Sequence, residues 1–290
     1  HLPVTVGGEA AQTPGPPRVV ASLQEDRGLS TPLMWMTVRK SELEDRKFGH
    51  VETLLKRLHA AVPSSVKRTF IVADREFGNR RMYGFLQEHG FDYVLRFRQD
   101  VNVTSWEGET RVAADWQRTT GKLRSMMSAS VTVEGHRVGK VVIVRDRGMK
   151  DVWCLAASDP DLNPKVVKAR YGRRFQTEET FRDIKDPRFG MGLRFCSIGA
   201  PERRDRILLL GVLAQAMLTL LGIAGERCGL DKYLKTNTAK TRQHSLLKQG
   251  LMWYDFIPTM REERLRTLME AFHEVAHEHG LFRLLAGAEK

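Results

Sequence analysis

Cysteine is scarce in this chain: Cys154, Cys196 and Cys228 are the only three, and they are far apart. With no CxxC pair, neither a disulfide framework nor a zinc ribbon is indicated, and a reducing, cytoplasmic setting fits best. The N-terminus lacks a basic region followed by an apolar core, so no signal peptide is read there. Internal repeats and low-complexity segments are also missing. Acid is in deficit, with 35 Asp plus Glu against 47 Lys plus Arg and a formal net charge of +12. An excess of that size favours a polyanionic partner, nucleic acid or an anionic membrane surface, without choosing between them. Charge-free runs are rare too. Only residues 207–225 approach the length of a membrane span, roughly 17 residues at the least. Gln215 and Thr219 interrupt that run, Arg203, Arg204 and Arg206 open it, and Glu226 and Arg227 close it. It reads as a fully buried helix of a large core, with no membrane partner.

What is present is ordinary for a globular protein: 41% hydrophobic and 28% charged residues over 290 positions. That suffices for one large domain or two modest ones. Residues 1–17 are rich in Gly and Pro and read as a loop or strand remnant. "RVVASLQ" and "PLMWMTV", separated by "EDRGLS", form a hairpin signature. "HVETLLKRLHAA" places Val51, Leu54, Leu55 and Leu58 on one helical face, and Pro63 closes that helix. The apolar run "TFIVAD" ends abruptly at Asp74. A helix-like "NRRMYGFLQEHG" and a strand-like "FDYVLRF" come next, which together make a βαβ unit with a buried strand. Residues 97–157 break into short alternating segments with Gly, Asp and Arg turns, the pattern of a β-rich insertion. From Asn163 onward the chain reads as helical.

In "YGRRFQTEETFRDIK", Tyr171, Arg174, Glu178 and Lys185 sit at offsets 0, 3, 7 and 14. On one continuous helix those positions fall within about 60° of each other. A phenol, a guanidinium, a carboxylate and an ammonium in one stripe do not make a core face. Geometry alone fits equally a solvated face with an i,i+4 Arg174–Glu178 ion pair.

The spacing Tyr-x2-Arg-x3-Glu-x6-Lys resembles the signature around the catalytic glutamate in DDE transposases of the insertion sequence four family. "TFIVADREFGNRRMYGFLQEHGFDYVLRFR" is similar to that family's second-aspartate block. The resemblance implies a ribonuclease H-like α/β core with a mixed sheet, interrupted by a β-rich insertion and followed by a helical C-terminal region. The core would occupy 1–96 and 161–225, the insertion 97–160 and the helical region 226–290. It further implies Asp74 and Glu178 as catalytic metal ligands for two Mg²⁺ (or Mn²⁺) ions, which suits hard carboxylate oxygens. Tyr171, Arg174 and Lys185 would contact DNA, the Arg fork suiting a phosphate. The partner would be double-stranded DNA, both transposon ends and target, worked on by a homodimer in a bacterial, nucleoid-associated setting. Glu179 is the rival to Glu178 but lies about 100° off the stripe.

The family's first aspartate, in an Asp-x-Thr strand before the hairpin, has no counterpart here. Glu9 lies in the Gly/Pro-rich lead-in, and Glu25 and Asp26 lie in the hairpin turn. "HLPVTVGG" resembles the segment just after that strand. The expectation is therefore a truncated chain, catalytically incompetent as it stands, with its central strand incomplete. A decayed, DNA-binding relic and a non-transposing nuclease on the same fold remain as alternatives. "HEVAH" at 273–277 matches HExxH but has no third ligand, and reads as chance on a polar helix. The basic run 232–248 is either a solvated loop or a contact to DNA backbone. Trp106, Trp116 and Trp153 read as core residues, any one of which could instead meet a base.

Overall fold

The computed structural model describes residues 2–8, 18–24, 30–38, 40–117, 122–132, 134–185, 192, 195–196, 198, 200–236, 238–239 and 241–279. Side chains at 8, 18, 40–45, 181 and 183–185 lie outside that description. The chain divides into two units, residues 1–180 with 199–202, and residues 181–198 with 203–290.

The first unit is built on an eight-stranded mixed sheet. Strands β1 (Leu2–Gly8), β2 (Arg18–Gln24) and β3 (Ser30–Thr37) are consecutive antiparallel neighbours. Helix α1 (Lys40–Ala61) is next, with a non-helical Arg46 inside it, and then β4 (Thr69–Ala73), α2 (Arg80–Glu88) and β5 (Asp92–Phe97). β4 lies parallel to both β1 and β5. The β-rich stretch splits between two sheets. Strands β6 (Asn102–Thr104), β7 (Thr110–Val112), β9 (Ser130–Val131) and β10 (His136–Arg137) form a separate four-stranded sheet. Strands β8 (Leu123–Met127), β11 (Lys140–Val144) and β12 (Trp153–Ala157) instead extend the large sheet beyond β5, in the order β3-β2-β1-β4-β5-β12-β11-β8. Three parallel central strands flanked by an antiparallel hairpin give the ribonuclease H-like arrangement that the resemblance implies.

Strands covered on both faces need apolar residues at every position, which is why "FIVA" in β4 and "VVIV" in β11 are unbroken runs. Alternation sorts them into two cores. Ile71, Ala73, Tyr93 and Leu95 join Val4, Val6 and residues of α1 and α2 on one face. Val72, Val94, Val142 and Leu155 join Val167 and Tyr171 of α3 (Pro164–Gly172) on the other.

Of the N-terminal stretch, the described residues 2–8 form a strand: β1 pairs along five positions with each neighbour and lies in the interior of the sheet. Its apolar Val4 and Val6 are fully buried, and this burial makes Gly- and Pro-rich surroundings compatible with a strand.

In the second unit α5 (Pro201–Arg227) packs on α6 (Leu246–Phe256), and α7 (Glu262–Glu278) comes after them. Gly222 and Gly250 let two backbones approach, since a Cβ on either would collide with the partner helix's main chain. α5 is not buried all round as its composition implied. Gln215, Thr219 and Leu220 are buried, whereas Leu209, Leu210, Leu213 and Met217 stay exposed, because its apolar residues encircle the axis. This helix is long and apolar enough to cross a membrane by length and composition only, and half of its most apolar window is buried in protein.

Candidate active site

Asp74 is the first residue after β4. The turn beyond it is held in place by its own side chains. Phe77 is buried against Phe48, and Asn79 caps α2 by accepting from the Met82 N–H at 3.1 Å. An Asn cap of this kind leaves Asp74 free for another role. Gly78 lies so close to β5 that an added Cβ would stand 2.7 Å from Phe97 Cα. The turn is thus pinned to the neighbouring strand.

The Asp74 carboxylate accepts from its neighbour, the Arg75 N–H, at 2.8 Å and from the Tyr171 hydroxyl at 2.9 Å. Arg96 Nη1 is 3.9 Å from Oδ1, and Arg174 Nη2 is 3.8 Å from Oδ2. The other nitrogen of that fork, Arg174 Nη1, donates to Glu178 Oε1 at 2.7 Å. One guanidinium therefore faces both carboxylates, although Asp74 follows a strand and Glu178 rides on α4 (Arg174–Lys185). The helix is tied to the sheet nearby by a 2.8 Å hydroxyl pair between Ser30 and Thr177.

Electrostatics arise from this crowding. Burial pushes the Asp74 carboxyl up, but Arg174, the Arg75 N–H, the Tyr171 hydroxyl and Arg96 together hold it below the ordinary value. Burial pushes the Tyr171 phenol up to about 12, so it remains a neutral donor. For Arg174, burial works against the charge, and the surrounding Tyr171, Asp74 and Glu178 outweigh it.

The stripe expected on a single helix is broken. α3 ends at Gly172 and α4 starts at Arg174, with Arg173 still in the right-handed region, so the chain keeps nearly the same course. Glycine costs about 1 kcal/mol in a helix interior, which makes Gly172 a natural break point. Tyr171, Arg174 and Glu178 still converge around Asp74. The Lys185 side chain lies outside the described residues. Glu179 is exposed and forms no ion pair with Arg174.

Two participants escaped the sequence reading. Arg96 is a charge inside the apolar strand β5, on the same face as Val94, and its side chain is only 13% exposed. Its other nitrogen lies 3.8 Å from Asp151, just before β12. A lone arginine amid "YVLRF" was the signal that could have found it. Asp151 also lines a cavity of about 810 Å³ shared with Arg111, Arg145 and Lys150. Of the tryptophans, Trp116 is buried, Trp106 is exposed, and Trp153 meets Tyr171 edge-on at 4.9 Å.

Elsewhere the set-aside motifs resolve simply. His273 and His277 are exposed on α7, and Glu274 and Glu278 pair with Arg227. Within the basic run, Lys235 pairs with Asp231 and Arg242 with Glu226. Lys240 is outside the described residues.

For a divalent-metal centre, Asp74 and Glu178 offer the hard oxygen donors that Mg²⁺ or Mn²⁺ takes. The strand beside Asp74, however, runs Leu2–Gly8 without an acid, and no group of three or more candidate ligands occurs among the described residues. The described residues thus fall short of a two-ion centre.

No curated protein matches the chain. Residues 29–214 match the family model described as the transposase DDE domain, a span that takes in Asp74, Arg96, Tyr171, Arg174, Glu178 and Lys185. That match covers close to two thirds of the chain, which therefore belongs to the transposase DDE domain family.

Proposed function

We propose that the chain is the DNA-processing region of a DDE transposase of the insertion sequence four type, acting on double-stranded DNA at transposon ends and in target DNA. The observation that carries this reading is the single guanidinium of Arg174 facing both Asp74 and Glu178. An arginine fork at a carboxylate pair is also a phosphate clamp. When a DNA phosphate arrives, Arg174 and Arg96 hold its oxygens, while Tyr171 fixes the Asp74 carboxylate. Lys185 adds a further phosphate contact, and a homodimer bridges two ends. The reaction class is phosphodiester hydrolysis followed by attack of the freed 3′-hydroxyl on another phosphodiester.

DDE transposases generally use divalent metal ions, and in this chain Asp74 and Glu178 are the residues that would hold Mg²⁺ or Mn²⁺. Among the described residues, β1 (Leu2–Gly8) adds no acid to that pair. That same observation favours a second reading, in which the chain binds DNA without cutting it.

Fluorescence anisotropy with a duplex carrying the element's inverted repeat, and with a scrambled duplex, tests the proposal. Arg174→Ala is expected to weaken end binding about tenfold at low salt. Glu178→Gln and Asp74→Asn should not weaken it, since each removes a negative charge beside the phosphate. Affinity should fall steeply as salt rises. Binding that ignores Arg174, or that is lost in Glu178→Gln, contradicts the proposed clamp.

A further inference from the structure

The helix that carries Arg174 and Glu178 is seated on the sheet by polar side chains. Among the described side chains of α4, the buried ones are Thr177 and Thr180, whereas Phe175 is exposed. Three residues apart, the two threonines lie on the same side of the helix.

The sheet presents a matching polar patch. Thr5 is level with Ser22 in the β1–β2 pair, and Gln24 with Ser30 in the β2–β3 pair. Directly paired residues share a face, as do residues two apart on one strand, so these four side chains lie together. Thr5 is also level with Val72, which packs with Tyr171, and this fixes the patch on the face that α3 covers. All four residues are buried. Gln24 Nε2 donates to Thr5 Oγ1 at 2.5 Å, and the Ser30 and Thr177 hydroxyls meet at 2.8 Å.

Burial of apolar surface is non-directional. A hydroxyl pair is directional and weakens steeply outside a narrow range of angle and distance. A slip of α4 by one residue, about 1.5 Å, breaks the Ser30–Thr177 bond and leaves two buried hydroxyls to be satisfied elsewhere. Thr177 is next to Glu178 and one turn beyond Arg174, so whatever holds Thr177 sets the position of both.

We infer that Ser30 and Thr177 are positioning residues: their hydroxyl pair fixes the register of α4 on the sheet and thereby the reach of Arg174 and Glu178 to Asp74. The inference rests on the proposed location of the site, but not on transposition.

Trp153 reports the position of α4 independently. It lies on β12, with β2, β1, β4 and β5 between its strand and that of Ser30, and its ring stacks on Phe175 of α4 at 5.9 Å. The test follows the Trp153 indole N–H signal of the full chain by NMR, assigned with Trp153→Phe, and folding by circular dichroism. Ser30→Ala and Thr177→Val are each expected to shift that signal, and the double variant to shift it no further than either alone. Thr177→Ser, which keeps the hydroxyl, should match wild type. Val51→Ala, on the opposite face of the sheet, should lower stability and leave the signal in place. Both hydroxyl variants should also lower affinity for the end duplex about fivefold at low salt. An unmoved indole signal in folded Ser30→Ala or Thr177→Val overturns the inference, as do additive shifts or an equal shift in Val51→Ala. Should Ser30→Ala fail to fold, Thr177→Val against Thr177→Ser decides alone, and equal shifts in those two overturn it. A moved signal with unchanged affinity also overturns it, provided Arg174→Ala weakens binding. If Arg174→Ala does not, the functional proposal fails and the indole comparison alone judges the positioning role.

Discussion

At the scale of single residues, Asp74 remains charged in a partly buried place. Burial alone would favour its neutral form, and Arg174, the Arg75 N–H, Tyr171 and Arg96 reverse that preference. A carboxyl whose pKa is depressed by folding adds stability that is fully present above its unfolded value, about 4. This contribution is lost as pH falls through the folded value. Wild type is therefore expected to lose more stability than Asp74→Asn between about pH 5 and about pH 3, measured as the shift in urea midpoint. The difference will be modest, because the carboxylate is 37% exposed and solvent screens it. Equal acid sensitivity in both proteins would show that the surrounding cations do not hold the charge. Asp74 was legible in the sequence because an apolar run stops at it. Arg96 was not, since local pattern does not reveal which buried charge faces which strand end.

At the scale of elements, the β4–turn–α2–β5 unit places the aspartate. Its parts were readable from the sequence: a short apolar run, the Asn79 cap, a periodic helix and a second apolar run. The close approach of Gly78 to β5 was not readable, because only the packed sheet brings Arg96 and Phe97 beneath it. A methyl group at position 78 must push the turn away from backbone atoms, which cannot give way as a side-chain tip can. Gly78→Ala is expected to cost about 1–3 kcal/mol in equilibrium unfolding and to weaken DNA binding by displacing Asp74. A Gly78→Ala protein as stable as wild type would mean that the turn is free to move. The break between α3 and α4 was also hidden, because the stripe arithmetic assumes one continuous helix and Gly172 interrupts it.

At the scale of the whole molecule, strand content was legible and strand pairing was not. Residues 97–157 announced short strands, yet nothing local says that β8, β11 and β12 join the large sheet while β6, β7, β9 and β10 form their own. Pairing over long sequence separations is decided by burial of whole faces, not by the composition of any one strand. The same long-range folding brings Asp74 and Glu178, far apart along the chain, to one arginine. Following the Asp74 carboxyl carbon by NMR through an acid titration reads that sharing most directly. Replacing Arg174 with glutamine should raise the pKa of Asp74 by removing its main cation, and Glu178→Gln should lower it by removing a competing carboxylate. An Asp74 titration curve that responds to neither substitution would mean that the two acids do not share a site.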